Sequence, residues 1–141
     1  MKNFLLTDFP LQAFDKVRYS DTDRQGHVNN ATFATYLETG RVAFIYHPEY
    51  PIVMKDTSFV IASLQIDFLH EIKWPGQVDI GTGIAKVGNS SIQVYQQLFQ
   101  NGICVAAART TIVQVSDTNA KSVPLSKQAK VNLAQWMIPV N

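Results

Sequence analysis

The chain alternates between two hydrophobic rhythms. From about Asn30 to Tyr46, apolar or small residues recur at Phe33, Tyr36, Leu37, Gly40 and Phe44, the spacing of a helix with one buried stripe. Gly40 inside that stripe costs about 1 kcal/mol against alanine, so it is expected to mark a close approach of backbone to a neighbour. His47-Pro48 ends the helix. Elsewhere the period is two. Phe14 to Ser20 reads as a first strand, with Phe14, Lys16 and Arg18 set against Val17 and Tyr19. From Phe59 to Leu69, Leu64, Ile66 and Phe68 alternate with Ser63, Gln65 and Asp67. After a Trp74-Pro75-Gly76 turn, Val78, Ile80, Thr82 and Ile84 give another strand. Gly88-Asn89 turns the chain into Ile92 to Phe99, and Asn101-Gly102 carries the strongest hairpin signal, since both positions accept positive φ. A last strand runs from about Ile103 to Val115, and Leu133, Trp136 and Met137 belong to a terminal helix or arm. One helix against one antiparallel sheet is an α+β architecture, with the sheet expected to curve around the helix.

The chain of 141 residues fits one domain, 1–141, and 46% hydrophobic content allows a packed core. A formal net charge of +1 gives no global basic field, so no nucleic-acid partner is expected. Any anionic ligand must be met by a local cluster. No apolar stretch suits a signal peptide or a membrane span, so no membrane insertion is expected and the location reads as cytoplasmic. The single Cys104 lies in an apolar run and reads as a small core residue.

The most informative stretch is Asp21-Thr-Asp-Arg-Gln-Gly-His-Val-Asn-Asn30. It sets Asp23 just upstream of the helix N-terminus, where backbone N–H groups point outward with partial positive charge. A carboxylate beside an oxyanion-binding helix end is the minimum equipment for cleaving an acyl bond. A plainer role is also open, in which Asp23 closes the turn and Asn29 or Asn30 caps the helix. Asp21, two residues away in an extended segment, should point away from Asp23. Gly26 would supply a backbone geometry that a Cβ forbids. Glu38 and Arg41 are three apart on the helix and could pair. No metal is expected, since His27 alone does not complete a ligand set around the two acids.

Tyr19-x-Asp21-Thr22-Asp23-x-x-Gly26-His27-Val28-Asn29-Asn30, followed by Tyr36-x-Glu38-x-x-Arg41, resembles the hotdog-fold acyl-CoA thioesterases of the 4-hydroxybenzoyl-CoA thioesterase type. Gly88-x-Ser90-Ser91 and the stretch from Asp67 to Gly76 share the likeness, which runs from about Phe14 to Val115. The resemblance implies a long central helix wrapped by a curved antiparallel sheet of about five strands. It implies homodimers whose sheets join edge to edge, further pairing into homotetramers, and active sites between protomers. Asp23 matches the catalytic carboxylate, which attacks the thioester carbonyl or activates water. Asn30 matches the position whose backbone N–H faces the thioester oxygen. His27 would orient water, bond Asp23, or hold the loop.

Lys86, Asn89, Ser90 and Ser91 form the candidate patch for the phosphates or pantetheine of coenzyme A, with a plain hairpin loop as the alternative. Lys55, Lys73, Arg109, Lys121, Lys127 and Lys130 are scattered and unranked. Arg109 interrupts an apolar strand, which suggests a partner charge or an interface. Tyr19, Phe33, Phe59 and Val60 are candidates for the acyl slot, each with ordinary core membership as its alternative. The expected activity is hydrolysis of an acyl-CoA to a carboxylic acid and CoA, with no cofactor, since coenzyme A belongs to the substrate. The competing readings are a thioesterase for acyl carrier protein, a hotdog hydratase or dehydratase, and a non-catalytic acyl-CoA-binding module.

Overall fold

The structure, a computed structural model, describes residues 4–140. Five strands form one antiparallel sheet: β1 (Leu11–Val17), β2 (Thr57–Phe68), β3 (Gly76–Val87), β4 (Ser91–Gln100) and β5 (Ile103–Ser116), in the order β1-β3-β4-β5-β2. Helix α1 (Thr32–Ile45) lies between β1 and β2 in sequence and α2 (Lys127–Ala134) follows β5.

The helical stripe is buried as its spacing requires. Phe33, Tyr36 and Leu37 pack with Val78, Ile80 and Leu98 on one face of the sheet. Phe44 and Ile45 continue the same layer with Ile84, Ile92, Ile112 and Leu133. Gly40 sits where the helix comes closest to the strands. A Cβ there would lie 2.6 Å from Gln96 Nε2, Ile80 Cγ2 and Thr82 Oγ1. Gln96, fully buried, donates to the Leu37 carbonyl oxygen at 2.9 Å and to Thr82 Oγ1 at 2.9 Å, so the contact is polar as well as close. At 14 residues α1 is of only moderate length, shorter than the Asn30–Tyr46 pattern and than the long helix expected.

The other face of the sheet carries Phe9, Tyr95, Phe99, Ala107 and Ile138. The C-terminal tail is both helix and arm. Ser126 caps α2 by accepting from the Ala129 N–H, and the arm beyond pairs with β3, Ile84 N–H donating to Trp136 O at 2.7 Å and Ile138 N–H to Ile84 O at 2.9 Å. The arm thereby continues the edge of β3 past the point where β1 starts. Arg109 answers the question its sequence position posed, its guanidinium lying 5.3 Å from the centre of the Tyr95 ring. Cys104 is half-buried and burial raises its thiol above the ordinary value, which suits the packing role expected of it.

Two expectations need correction. β1 begins at Leu11 and stops at Val17, because Tyr19–Asp21 forms a tight 3-10 turn in which Asp21 Oδ2 takes the Arg18 N–H at 2.9 Å. Its inward positions are Leu11, Ala13, Asp15 and Val17, and Phe14 and Lys16 face out together as their alternation reads. No Glu38–Arg41 ion pair forms: Glu38 is exposed, whereas Arg41 is 4% exposed. Burial lowers the Arg41 guanidinium from its ordinary value, and the charge of Glu38 only opposes that shift from a distance. Ala31 opens the helix without a side-chain bond of its own, and Asn29 ties the first turn as expected, its Oδ1 accepting the Ala31 N–H.

Replacing Gly40 with alanine sets a helix-propensity gain of about 1 kcal/mol against overpacking of a layer that cannot yield without breaking the Gln96 bonds. The overpacking should win, and Gly40→Ala should lose about 1–2 kcal/mol of stability in urea denaturation. An unchanged or raised midpoint would show that the layer relaxes freely.

Candidate active site

The acidic loop is a miniature hairpin. Asp23 N–H donates to His27 O at 2.7 Å and Gly26 N–H to Asp23 O at 3.2 Å, with Thr22 bridged to Val28. Gly26 has φ +80° and open space around a would-be Cβ, so glycine is needed there for backbone conformation alone. The Asp23 carboxylate closes the turn: Oδ1 accepts the N–H groups of Gln25 at 2.8 Å and His27 at 3.2 Å. Among the described residues no donor engages Oδ2. The turn-closing role and an outward carboxylate oxygen therefore coexist in one side chain.

Asp21 faces other partners, as expected, but from a 3-10 turn rather than by alternation along an extended segment. Its Oδ2 accepts the Tyr36 phenol at 2.7 Å together with the Arg18 N–H. Tyr36 is held well above the ordinary phenol range, first by burial and then by the bond to Asp21 and its charge. This buried bond ties the strand-to-loop junction to α1.

At the start of α1, Asn29 Oδ1 accepts the Ala31 N–H and the Asn29 carbonyl accepts the Thr32 N–H, both at 2.9 Å. That turn uses up the amides after Asn30 and leaves the Asn30 N–H without a partner among the described residues. It is an orphan donor of the kind every helix start provides.

The loop docks on the segment linking β2 to β3. Val28 N–H donates to Ile72 O at 2.9 Å and His27 bridges Lys73. This brings a residue that local pattern could not reveal, Glu71, to the imidazole: His27 Nε2 lies 3.2 Å from Glu71 Oε2. Asp23, Gln25, His27, Val28, Asn30, Phe33, Phe68, Leu69, His70 and Glu71 line one open cleft of about 400 Å³. Phe33 and Phe68 form its apolar end, their rings edge to face at 5.0 Å.

The cleft thus unites Asp23, His27, Asn30 and Phe33. It does not include the other sequence candidates. Tyr19 is 73% exposed and packs against Trp74. Phe59 is partly buried against the core layer that contains Phe44, and Val60 is exposed on β2. Lys86, Asn89, Ser90 and Ser91 lie at the far end of β3, roughly 30 Å along the strand at 3.3 Å per residue. The Asn89 and Ser90 carbonyls are occupied there, accepting the N–H groups of Leu125 and Gln114. Asn89 lines a separate groove with Lys130 and Met137. Among the described residues no group of three or more His, Cys, Asp or Glu is placed to hold a metal ion. No helix among them is long and apolar enough to cross a membrane.

Asp23, Asn30 at the start of α1 and the Phe33–Phe68 pair thus line one cleft. The model of the Thioesterase-like superfamily matches residues 17–135, and the chain belongs to that family. The five-stranded antiparallel sheet and helix agree with the hotdog arrangement of such proteins. Among its relatives, the protein YsmA of Bacillus subtilis is 30% identical over 83% of this chain and 80% of its own length. The acyl-CoA thioesterase YbgC of Haemophilus influenzae is 24% identical over 82% of this chain and 88% of its own. A thioesterase of Thermus thermophilus, solved in complex with coenzyme A and zinc, superposes with a TM-score of 0.81 at 26% identity, covering 94% of this chain and 98% of that one.

The Tyr36–Asp21 bond carries a pH signature. The unfolded chain ionises Tyr36 near pH 10 whereas the folded chain does not, so the folded state retains a proton that the unfolded state releases. Stability supplied by this group is full below pH 10 and falls as pH rises beyond it. Tyr36→Phe should lower stability near neutrality by about 1–2 kcal/mol and show a shallower alkaline loss than the parent. Parallel urea midpoints for both proteins between pH 8 and about 11 check this, and identical slopes would refute it.

Proposed function

We propose that the protein is a thioester hydrolase that cleaves acyl-CoA to a carboxylic acid and free CoA, in the manner of the 4-hydroxybenzoyl-CoA thioesterase type. The single observation that carries this reading is that Asp23, with one carboxylate oxygen unpartnered among the described residues, and Asn30, whose N–H has no partner among them, line the same cleft. The Asn30 amide would accept the charge that develops on the thioester oxygen, at the positive end of the helix. Asp23 would act from its free oxygen as base or as nucleophile. As base, it takes a proton from water while the water oxygen bonds to the acyl carbon, and the C–S bond then breaks to release thiolate. As nucleophile, it forms an acyl anhydride that water opens. Thiolate is a good leaving group, so neither route requires a strong acid. His27, steadied by Glu71, would orient the attacking water.

The mechanistic test is Asp23→Asn. Asparagine retains an oxygen for the Gln25 and His27 N–H groups, so the loop should keep its shape, whereas Asp23→Ala removes its closure. Asp23→Asn should lower kcat/KM for acyl-CoA by about 10³-fold with unaltered stability. Near-parental turnover across short, long and aromatic acyl-CoA substrates would remove Asp23 from the chemistry. Tight binding without thiol release by the parent protein would instead favour an acyl-CoA-binding module.

The active form would be a homodimer. Strand β2 is a sheet edge of 12 residues that exposes Val60, Ile61, Leu64 and Phe68. Long apolar edges require covering. Antiparallel pairing of two such edges would set the start of one β2, with Phe59 and Val60, beside the end of the other, where Phe68 joins the cleft. Those two sequence candidates would then reach the acyl group from the second copy. Sizing by light scattering should return twice or four times the chain mass of 15.8 kDa. Val60→Pro should yield monomers with lost activity, since proline removes an edge donor. A fully active monomer would defeat the shared site.

A further inference from the structure

The cleft has a direction. Its apolar end is the Phe33–Phe68 pair, and its wall runs on from Phe68 through Leu69 and His70 to Glu71. We infer, on the basis of the thioesterase reading, that the His70 imidazole donates a hydrogen bond to the departing sulfur and is a catalytic residue for loss of the thiolate.

Three features place it there. The first is orientation. With the acyl group against Phe33 and Phe68 and the carbonyl oxygen at the Asn30 amide, the sulfur leaves on the side remote from the two rings. His70 stands two residues beyond Phe68, at most about 7 Å along extended chain. That matches the span from an acyl group to the sulfur of its own thioester. The second is chemistry. Leu69 is apolar, and Glu71 is a carboxylate already paired with His27 at 3.2 Å. His70 is the one side chain on this wall able to donate to sulfur as charge develops. Glu71 sharpens the need for a donor, because an anion nearby opposes departure of a thiolate. The third is availability. His70 is exposed and lines the cleft, and its imidazole has no hydrogen-bond or ion-pair partner among the described residues.

The wall that carries His70 is fixed through its backbone. The N–H groups of Leu69 and His70 both donate to Val105 O, at 2.9 and 3.1 Å, and Val28 N–H donates to Ile72 O at 2.9 Å. His70 therefore sits between a tie to β5 and a tie to the acidic loop.

In the base route Asp23 takes a proton from water as the water oxygen bonds to the acyl carbon. The C–S bond then breaks with its electron pair going to sulfur, where the His70 N–H meets the charge. In the nucleophile route the same bond breaks as the anhydride forms. The thiolate takes up a proton from solvent, Asp23 in the base route returns one to solvent, and His70 ends the cycle unchanged.

The test compares leaving groups. The acyl group that the parent protein cleaves fastest is offered as its CoA ester and as a nitrophenyl thioester, whose thiol is far more acidic and departs without help. His70→Leu should lower kcat on the CoA ester about tenfold, the loss expected for one hydrogen bond to a charged group, and leave kcat on the aryl ester within about twofold. His70→Gln keeps an N–H and should restore most of that loss. Both variants should unfold at the parent urea midpoint, since His70 is bonded only through its backbone. Equal losses on the two esters, or no loss on the CoA ester, overturn the role of His70 and leave the thioesterase reading standing. A glutamine variant no better than the leucine variant does the same. A parent protein that cleaves neither ester defeats the thioesterase reading and the role of His70 together.

Discussion

The site depends on a short piece of backbone pairing, the docking of the acidic hairpin on Ile72 and Lys73. Val28 N–H meets Ile72 O, His27 bridges Lys73, and Lys73 is in turn clamped through both backbone groups by Gln100. Leu69 and His70 donate to Val105 O on β5, so the receiving segment is fastened to the sheet at both ends. Such bonds contribute only about 1 kcal/mol each, but Val28 and Ile72 are buried beneath them and exclude competing water. A loop that would otherwise wander is thus held with its carboxylate, imidazole and helix-start amide in one orientation. Preorganisation of this kind lets a donor stabilise developing charge without reorganising at the moment of reaction.

The two neighbouring aspartates divide the work. Asp21 is turned toward Tyr36 and Arg18 and braces the junction between β1 and α1. Asp23 spends one oxygen on its own turn, the other has no donor among the described residues, and the residue lines the cleft. Had both side chains converged, their repulsion would have favoured a shared proton. Instead each has its own donors, and the burial that holds Tyr36 protonated keeps a hydrogen available for Asp21.

Much of this was legible in the sequence where the signal is local. The stripe of Phe33, Tyr36, Leu37, Gly40 and Phe44 is buried as its helical spacing demands. Val78, Ile80, Thr82 and Ile84 all point into the core. Asn101 and Gly102 adopt φ of 53° and 78°, the positive values their hairpin requires. Phe14 and Lys16 face out against Val17, as their alternation reads, and Leu64, Ile66 and Phe68 alternate with Ser63, Gln65 and Asp67 beyond the register shift at Ile61/Ser63. The features that escape the sequence are those decided by distant partners. Glu71 lacks any local signature, because only the fold brings residue 71 to residue 27. Lys73 was one cation among several until the β2–β3 connection placed it beside the cleft.

The exposed edge and the cleft meet in the same residues. Phe68 and Leu69 close the cleft and also end the apolar run of β2, and each is about half exposed in the single chain. Covering that run with a second copy would remove water from Phe68 and narrow the open side of the cleft. Electrostatic interactions gain strength as the surrounding dielectric falls. The pull of the Asn30 amide on a thioester oxygen would therefore be stronger in the paired protein than in the lone chain, with every distance within the chain unchanged. Assembly would act on the chemistry through solvent exclusion, in addition to any side chain the second copy contributes. In such a pair strand β2 could stay apolar at an edge that a monomer would have to blunt with charge.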